Sequence, residues 1–253
     1  MKISRQNGSY LHDSYSGLID ALAAQGKLEE ASALAEEALK SSRERAEPSW
    51  ISQHAAELGS IELERGRLAE AGRLLAESLE IRRRLREYTI PESEILIAQL
   101  RLEERQWEEA RRLAREASEQ FAAAGRKADQ ASADAVEAEA LLLAGRRNEA
   151  RNTVEAASLL LEPSASPDAR VPVLLARVRI TNALGEAPAA RSDVQTAARL
   201  AGNLAWKNLV LETRLAAAEI DGGSGAATVA ADARAMGFER IARHADRLAK
   251  RGS

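Results

Sequence analysis

Apolar and small residues recur along the chain at the spacing of amphipathic helices, and this pattern is itself repeated. The stretch GKLEEA, which begins at Gly26, has a counterpart in GRLAEA, which begins at Gly66. Weaker counterparts follow at intervals of 39 or 40 residues and begin at 105, 145, 185 and 225. A period this constant over six copies predicts a protein built from repeated structural units.

Small residues hold fixed columns within each copy. The position seven residues before each anchor is mostly small, and the position twelve residues after it is Ala, Ser or Gly throughout. Because only a small side chain lets two helix backbones approach closely, these columns predict helix crossings. A glycine anchor supplies the positive φ that often ends a helix, so each copy is expected to be a helix, a turn and a second helix. The position five residues after the anchor is alanine in all six copies: Ala31, Ala71, Ala110, Ala150, Ala190 and Ala230.

Helix boundaries follow from the anchors and from the prolines. Pro48, Pro91 and Pro163 lie between successive pairs, where a helix must end. Residues 1–253 are expected to form one domain that ends in a capping helix at about 238–250, with a polar outer face. The helix pairs are predicted at about 10–45, 48–88, 91–124, 126–161, 167–201 and 203–237.

The column pattern resembles the tetratricopeptide repeat over nearly the whole chain. The units are longer than that repeat's usual length of about 34 residues. They are similar to the long variety found in helical sensor or docking arrays of bacterial regulators and Ser/Thr kinases. HEAT and armadillo repeats have about the right length and rank second, because the Gly turn followed by Ala favours the tetratricopeptide pattern. The resemblance implies an all-α, right-handed α-α superhelix of about six helix pairs plus a C-terminal capping helix.

In the resembled family the first helices line a groove that binds peptides or protein segments. The family's Lys/Asn/Arg clamp for a C-terminal carboxylate is missing from the matching sites of the first two copies. Apolar columns bordered by carboxylates favour a protein or peptide partner with apolar anchors and positive charge. The alternative is that the longer helices bury these columns within the array. The expected partner-binding groove consists of Ser16, Asp20, Ala56, Ser60, Leu63, Glu64, Ile95, Gln99, Leu102, Glu103, Ala135, Glu139, Leu142, Leu175, Arg179 and Asn182.

Composition narrows the class of function. The formal net charge of −3 argues against a nucleic-acid partner, which a strongly basic chain would favour. The chain contains no cysteine, so disulfides and thiolate chemistry are excluded. The N-terminus has no apolar segment typical of a signal peptide, and no stretch has the length of a membrane span. We therefore expect a cytoplasmic protein with no membrane partner.

No pattern of catalytic residues stands out. His12, His54 and His244 stand alone, without a second His or a Glu at the spacing of a zinc-binding helix. The GGSG stretch at 222–225 lacks the Lys-Ser/Thr of a phosphate-binding loop and is interpreted as a flexible turn. We expect no metal and no cofactor, and we expect the chain not to be an enzyme.

The sequence therefore predicts a non-enzymatic protein-interaction scaffold in bacterial signalling or regulation. The alternative is a C-terminal regulatory or sensor segment split from a larger kinase or transcriptional regulator. That alternative rests on residues 1–9, which are too few to cover the outer side of the first helix pair.

Overall fold

The computed structural model describes residues 2–161, 165–204 and 206–252. Over these residues it contains thirteen α-helices and no strand, so the all-α prediction is confirmed. Over the same residues, no helix combines the length and the apolar character needed to cross a lipid bilayer. The helices are α1 (Lys2–Ala24), α2 (Leu28–Glu44), α3 (Pro48–Glu64), α4 (Leu68–Leu85), α5 (Ile90–Glu103), α6 (Trp107–Ala123), α7 (Lys127–Leu143), α8 (Arg147–Leu160), α9 (Pro167–Ala183), α10 (Ala187–Gly202), α11 (Lys207–Ile220), α12 (Ala226–Ala235) and α13 (Glu239–Gly252).

The repeat anchors lie in the turns between the two helices of a pair. Gly26 has a φ of 78° between α1 and α2, which is the left-handed conformation that glycine adopts without strain. The third copy carries Arg105 at this position, and its φ of 61° shows that the turn is kept without glycine. Pro48, Pro91 and Pro167 lie in the first turns of their helices, where the missing N–H costs little. Pro163 lies outside the described residues.

The alanine column is buried throughout, which fits the predicted helix crossings. Ala31, Ala71, Ala110, Ala150 and Ala190 are fully buried, and Ala230 is nearly so. Five of the six, all but Ala110, belong to apolar clusters shared by neighbouring helices. One such cluster contains Ile19 of α1, Ala35 of α2 and Leu58 of α3. The core is therefore a series of such clusters along the array, which is how stacked repeats bury their apolar faces.

The two ends of the array meet. Leu28, at the start of α2, belongs to an apolar cluster from the C-terminal end of the chain. That cluster contains Leu211 of α11, Phe238 in the turn before α13, and Ile241 of α13. Gly26 also lies against this end of the chain, because a Cβ placed on it would be 3.3 Å from the Cβ of Met236. The superhelix therefore curves until its C-terminal helices contact its first repeat.

Candidate partner-binding surface

The predicted groove residues lie on the first helices of the pairs, α1, α3, α5, α7 and α9, and they divide by burial. Ala56, Leu63, Ala135 and Leu175 are each at most 5% exposed and are packed inside the array. At these four positions the apolar columns offer no surface to a partner in this conformation. Asp20 is exposed. The others are half-buried: Ser16, Ser60, Glu64, Ile95, Gln99, Leu102, Glu103, Glu139, Leu142, Arg179 and Asn182.

Half of a charged network is centred on Arg179 of α9. Its guanidinium contacts the carboxylates of Glu139 on α7 and of Glu212 on α11, the latter at 2.5 Å. A third carboxylate, that of Glu219 on α11, lies 3.7 Å away. Burial alone would lower the pKa of Arg179, but these carboxylates raise it, so the side chain is held as a cation. Three consecutive first helices are thereby joined on one face.

The other half is centred on Arg240 of α13. Its guanidinium lies 3.0 Å from Glu64 at the end of α3, 2.8 Å from Glu212 and 3.7 Å from Glu103 at the end of α5. His244, one helical turn after Arg240, places its Nε2 atom 3.1 Å from the Glu103 carboxylate. Glu64 and Glu103, both predicted groove residues, are thus brought together by a helix from the far end of the chain.

Burial and charge set the ionisation of these carboxyls. Burial alone would raise the pKa of Glu212, but the guanidinium groups of Arg240 and Arg179 lower it to about 2. The pKa of Glu103 is also lowered, because the hydrogen bond and charge of His244, together with Arg240, outweigh its burial. Burial raises the pKa of Glu219, and the nearby carboxylates of Glu212 and Glu139 add to that rise.

The groups around Arg179 and Arg240 form one charged network, called the inner network below, because Glu212 contacts both guanidinium groups. Among the described residues, five carboxyl groups share two guanidinium groups and the imidazole of His244, so the acidic side chains outnumber the basic ones. Such a surface attracts a positively charged ligand and repels a negatively charged one. The predicted preference of the groove for a positively charged partner stays a prediction.

A second polar cluster joins α1 to α3, and it corrects the expectation that the histidines stand alone. His12 Nδ1 lies 3.1 Å from His54 Nε2, and both rings are fully buried. The outer nitrogens contact carboxylates, His12 with Glu47 at 2.7 Å and His54 with Glu57 at 2.8 Å. Trp50 stacks on both rings, with centroids 4.9 Å and 5.7 Å away.

All four ring nitrogens of this cluster have a polar partner. The contacts run from Glu47 through His12 and His54 to Glu57, so neither buried ring leaves a nitrogen without a hydrogen-bonding group beside it. Among the described residues, no group of three or more His, Cys, Asp or Glu is arranged to bind a metal ion. Because its contacts tie α1 to α3, we interpret the cluster as a structural connection between the first two repeats.

Comparison with solved structures identifies the fold. A Rap protein in complex with competence and sporulation factor matches with a TM-score of 0.70 and 14% identity, over 94% of this chain and 75% of that chain. The apo form of RapI matches with a TM-score of 0.59 and 11% identity, over 99% and 77%. The TPR-like repeats of a putative kinesin light chain from Podosopora anserina match with a TM-score of 0.58 and 18% identity, over 73% and 91%. The fold is a tetratricopeptide-like α-solenoid. No protein-family model and no curated protein sequence matches the chain.

In this tetratricopeptide-like solenoid, sequence reasoning found part of the charged network. Glu64, Glu103, Glu139 and Arg179 were all placed in the groove columns. The sequence does not predict the contribution of Arg240, because the polar face of the capping helix is expected to lie on the outside. No local signal reveals this contact, since Arg240 and Glu64 are 176 residues apart in sequence.

Proposed function

We propose that this solenoid is a non-enzymatic scaffold that binds a protein segment on its inner face. The observation that carries this proposal is the surplus of carboxylates on that face, where Glu64, Glu103 and Glu212 already hold the guanidinium of Arg240. A ligand that fits combines positive charge with apolar anchors. Of the predicted apolar positions, Ile95, Leu102 and Leu142 retain exposed surface for such an anchor.

The setting that we propose is bacterial signalling or regulation in the cytoplasm. The long repeat unit resembles the arrays of bacterial regulators. One structural neighbour is a Rap protein in complex with competence and sporulation factor, at 14% identity. We infer from the same features that the partner is a protein or peptide and that the chain itself carries out no catalysis.

A peptide array probed with the purified chain tests this function. The array contains helical and extended segments of varied net charge and apolar content. We expect retention of segments that combine basic and apolar residues, and loss of retention in the variants Leu102→Arg and Leu142→Arg. Leu159→Arg is the matched control, because Leu159 lies on a second helix and is 88% exposed. Full retention by both groove variants, with helical content intact, would contradict the groove assignment.

A further inference from the structure

The contact between α13 and the first repeats has an apolar part. The Phe238 side chain is 1% exposed and shares an apolar cluster with Leu28, which is 2% exposed. A Cβ on Gly26 would lie 3.4 Å from the Phe238 ring, so this turn and the start of α13 are in close contact. An aromatic side chain is therefore seated beside the first inter-helix turn.

The same contact has a polar part along the C-terminal ends of the first helices. Arg240 contacts Glu64 and Glu103, and His244 contacts Glu103. Arg243 donates a hydrogen bond from Nη1 to the backbone oxygen of Gly66 at 3.2 Å. Arg240 and His244 keep part of their surface exposed, so added salt weakens these ion pairs.

The two faces of α13 differ in how firmly they are held. Ile241, Ala242 and Ala245 are fully buried and share one apolar cluster with residues of α11 and α12. The residues directed at α3 and α5 are Arg240 and His244, which are held by carboxylates. Separation from the first repeats would expose Phe238 and Leu28, whereas Ile241, Ala242 and Ala245 would still pack with α11 and α12. Opening at this join would therefore leave the apolar side of α13 covered.

We propose that Gly26, Leu28, Glu64 and Glu103 form a binding surface for a helix whose aromatic anchor lies in the turn just before it, with an arginine two residues after that anchor, and that Phe238 and α13 are its intramolecular occupant. This inference rests on the proposed scaffold function. Two of the four residues, Glu64 and Glu103, belong to the predicted groove, and the occupant itself shows the chemistry that the surface accepts. A partner helix of this kind competes with α13, and the solenoid must open to admit it.

The first test measures opening in the full chain. Because the chain has no cysteine, spin labels can be placed at Lys27→Cys and Arg247→Cys, two exposed positions on either side of the join. Arg240→Glu sets a negative charge against the carboxylates of Glu64, Glu103 and Glu212, and we expect the Lys27–Arg247 label distances to lengthen and broaden.

A control pair, Ala231→Cys with Arg247→Cys, lies within the C-terminal end of the solenoid and should keep its distances. Arg240→Gln and added salt on the unchanged sequence give milder openings if Arg240→Glu impairs folding. Unchanged Lys27–Arg247 distances in all three conditions, with helical content intact, would overturn the proposal.

The second test measures binding in trans, with a fluorescent peptide of residues 237–252 as the probe. We expect the Arg240→Glu chain to bind the peptide at least about tenfold more tightly than the unchanged chain, whose own α13 competes for the surface. The control chain Arg247→Glu makes the same charge change at an exposed position and should bind like the unchanged chain. A peptide that carries Arg240→Glu should not bind.

Equal affinity of the peptide for the unchanged and Arg240→Glu chains would contradict the role of α13 as an occupant. Failure of this proposal can be distinguished from failure of the proposed scaffold function, which the peptide array tests. An array ligand that binds the unchanged chain as tightly as the Arg240→Glu chain rejects the occupant and leaves the scaffold function standing. Insensitivity of array binding to Leu102→Arg and Leu142→Arg rejects the groove and does not affect the distance measurement.

Discussion

Glu212 of α11 is the carboxylate that contacts both arginines of the inner network, and its replacement by glutamine has a calculable effect. A pKa held at about 2 in the folded chain, against an ordinary value of 4.5, corresponds to about 3 kcal/mol of stability at neutral pH. Because the folded-state pKa is the lower one, this contribution is present above pH 4.5 and is lost as the pH falls from 4.5 toward about 2. Glu212→Gln should therefore destabilise the chain by about 3 kcal/mol at neutral pH and by progressively less in acid.

Glu219, two turns later on the same helix, is the matched control. Burial raises its pKa, so the folded chain binds its proton more tightly than the unfolded chain does. Such a carboxyl favours folding in acid and opposes it once the pH rises above its ordinary pKa of 4.5. Glu219→Gln removes this cost and should leave the neutral-pH stability unchanged or higher, although both residues contact Arg179.

Urea unfolding followed by circular dichroism measures both variants at neutral pH and at steps down toward about pH 3. Equal m-values would show that the same structure unfolds in each protein. The reasoning is refuted by a Glu212→Gln stability curve that runs parallel to that of the unchanged chain. It is also refuted if Glu219→Gln destabilises the chain at neutral pH as much as Glu212→Gln does.

Three further predictions concern packing, turns and the buried polar cluster, each measured as the free energy of unfolding in urea. Ala110→Leu overpacks a helix crossing and should cost about 1–3 kcal/mol, whereas Ala122→Leu at an exposed site on the same helix should be nearly neutral; equal effects would reject the crossing column. Gly185→Ala should cost about 1–2 kcal/mol for its left-handed φ alone, and Gly26→Ala should cost more, because its Cβ would press on the turn before α13. His12→Phe should cost about 1–3 kcal/mol because the buried His54 and the half-buried Glu47 lose their hydrogen bonds; a neutral result would show that the His12 contacts add no stability.

The sequence alone determined the local architecture. Every copy encodes its own helices, turn and crossing, because helical spacing, a left-handed turn residue and a small residue at a contact act within a few residues of one another. The third copy forms the same left-handed turn with Arg105 in place of glycine, so the turn does not depend on glycine alone. The local pattern does not predict which way an apolar first-helix column faces, because such a column can pack inside the array or face a ligand. Leu63 and Leu175, both predicted groove residues, are buried inside the array.

Only the tertiary structure decided which distant residues meet. The pairing of Arg240 with Glu64 depends on the total curvature of the solenoid, which accumulates from small rotations at every repeat. The pairing of His12 with His54 depends on the alignment of α1 with α3, which no spacing within one helix specifies. Repeats fix their own neighbours through local contacts, whereas the join between the two ends exists only once all the repeats are stacked.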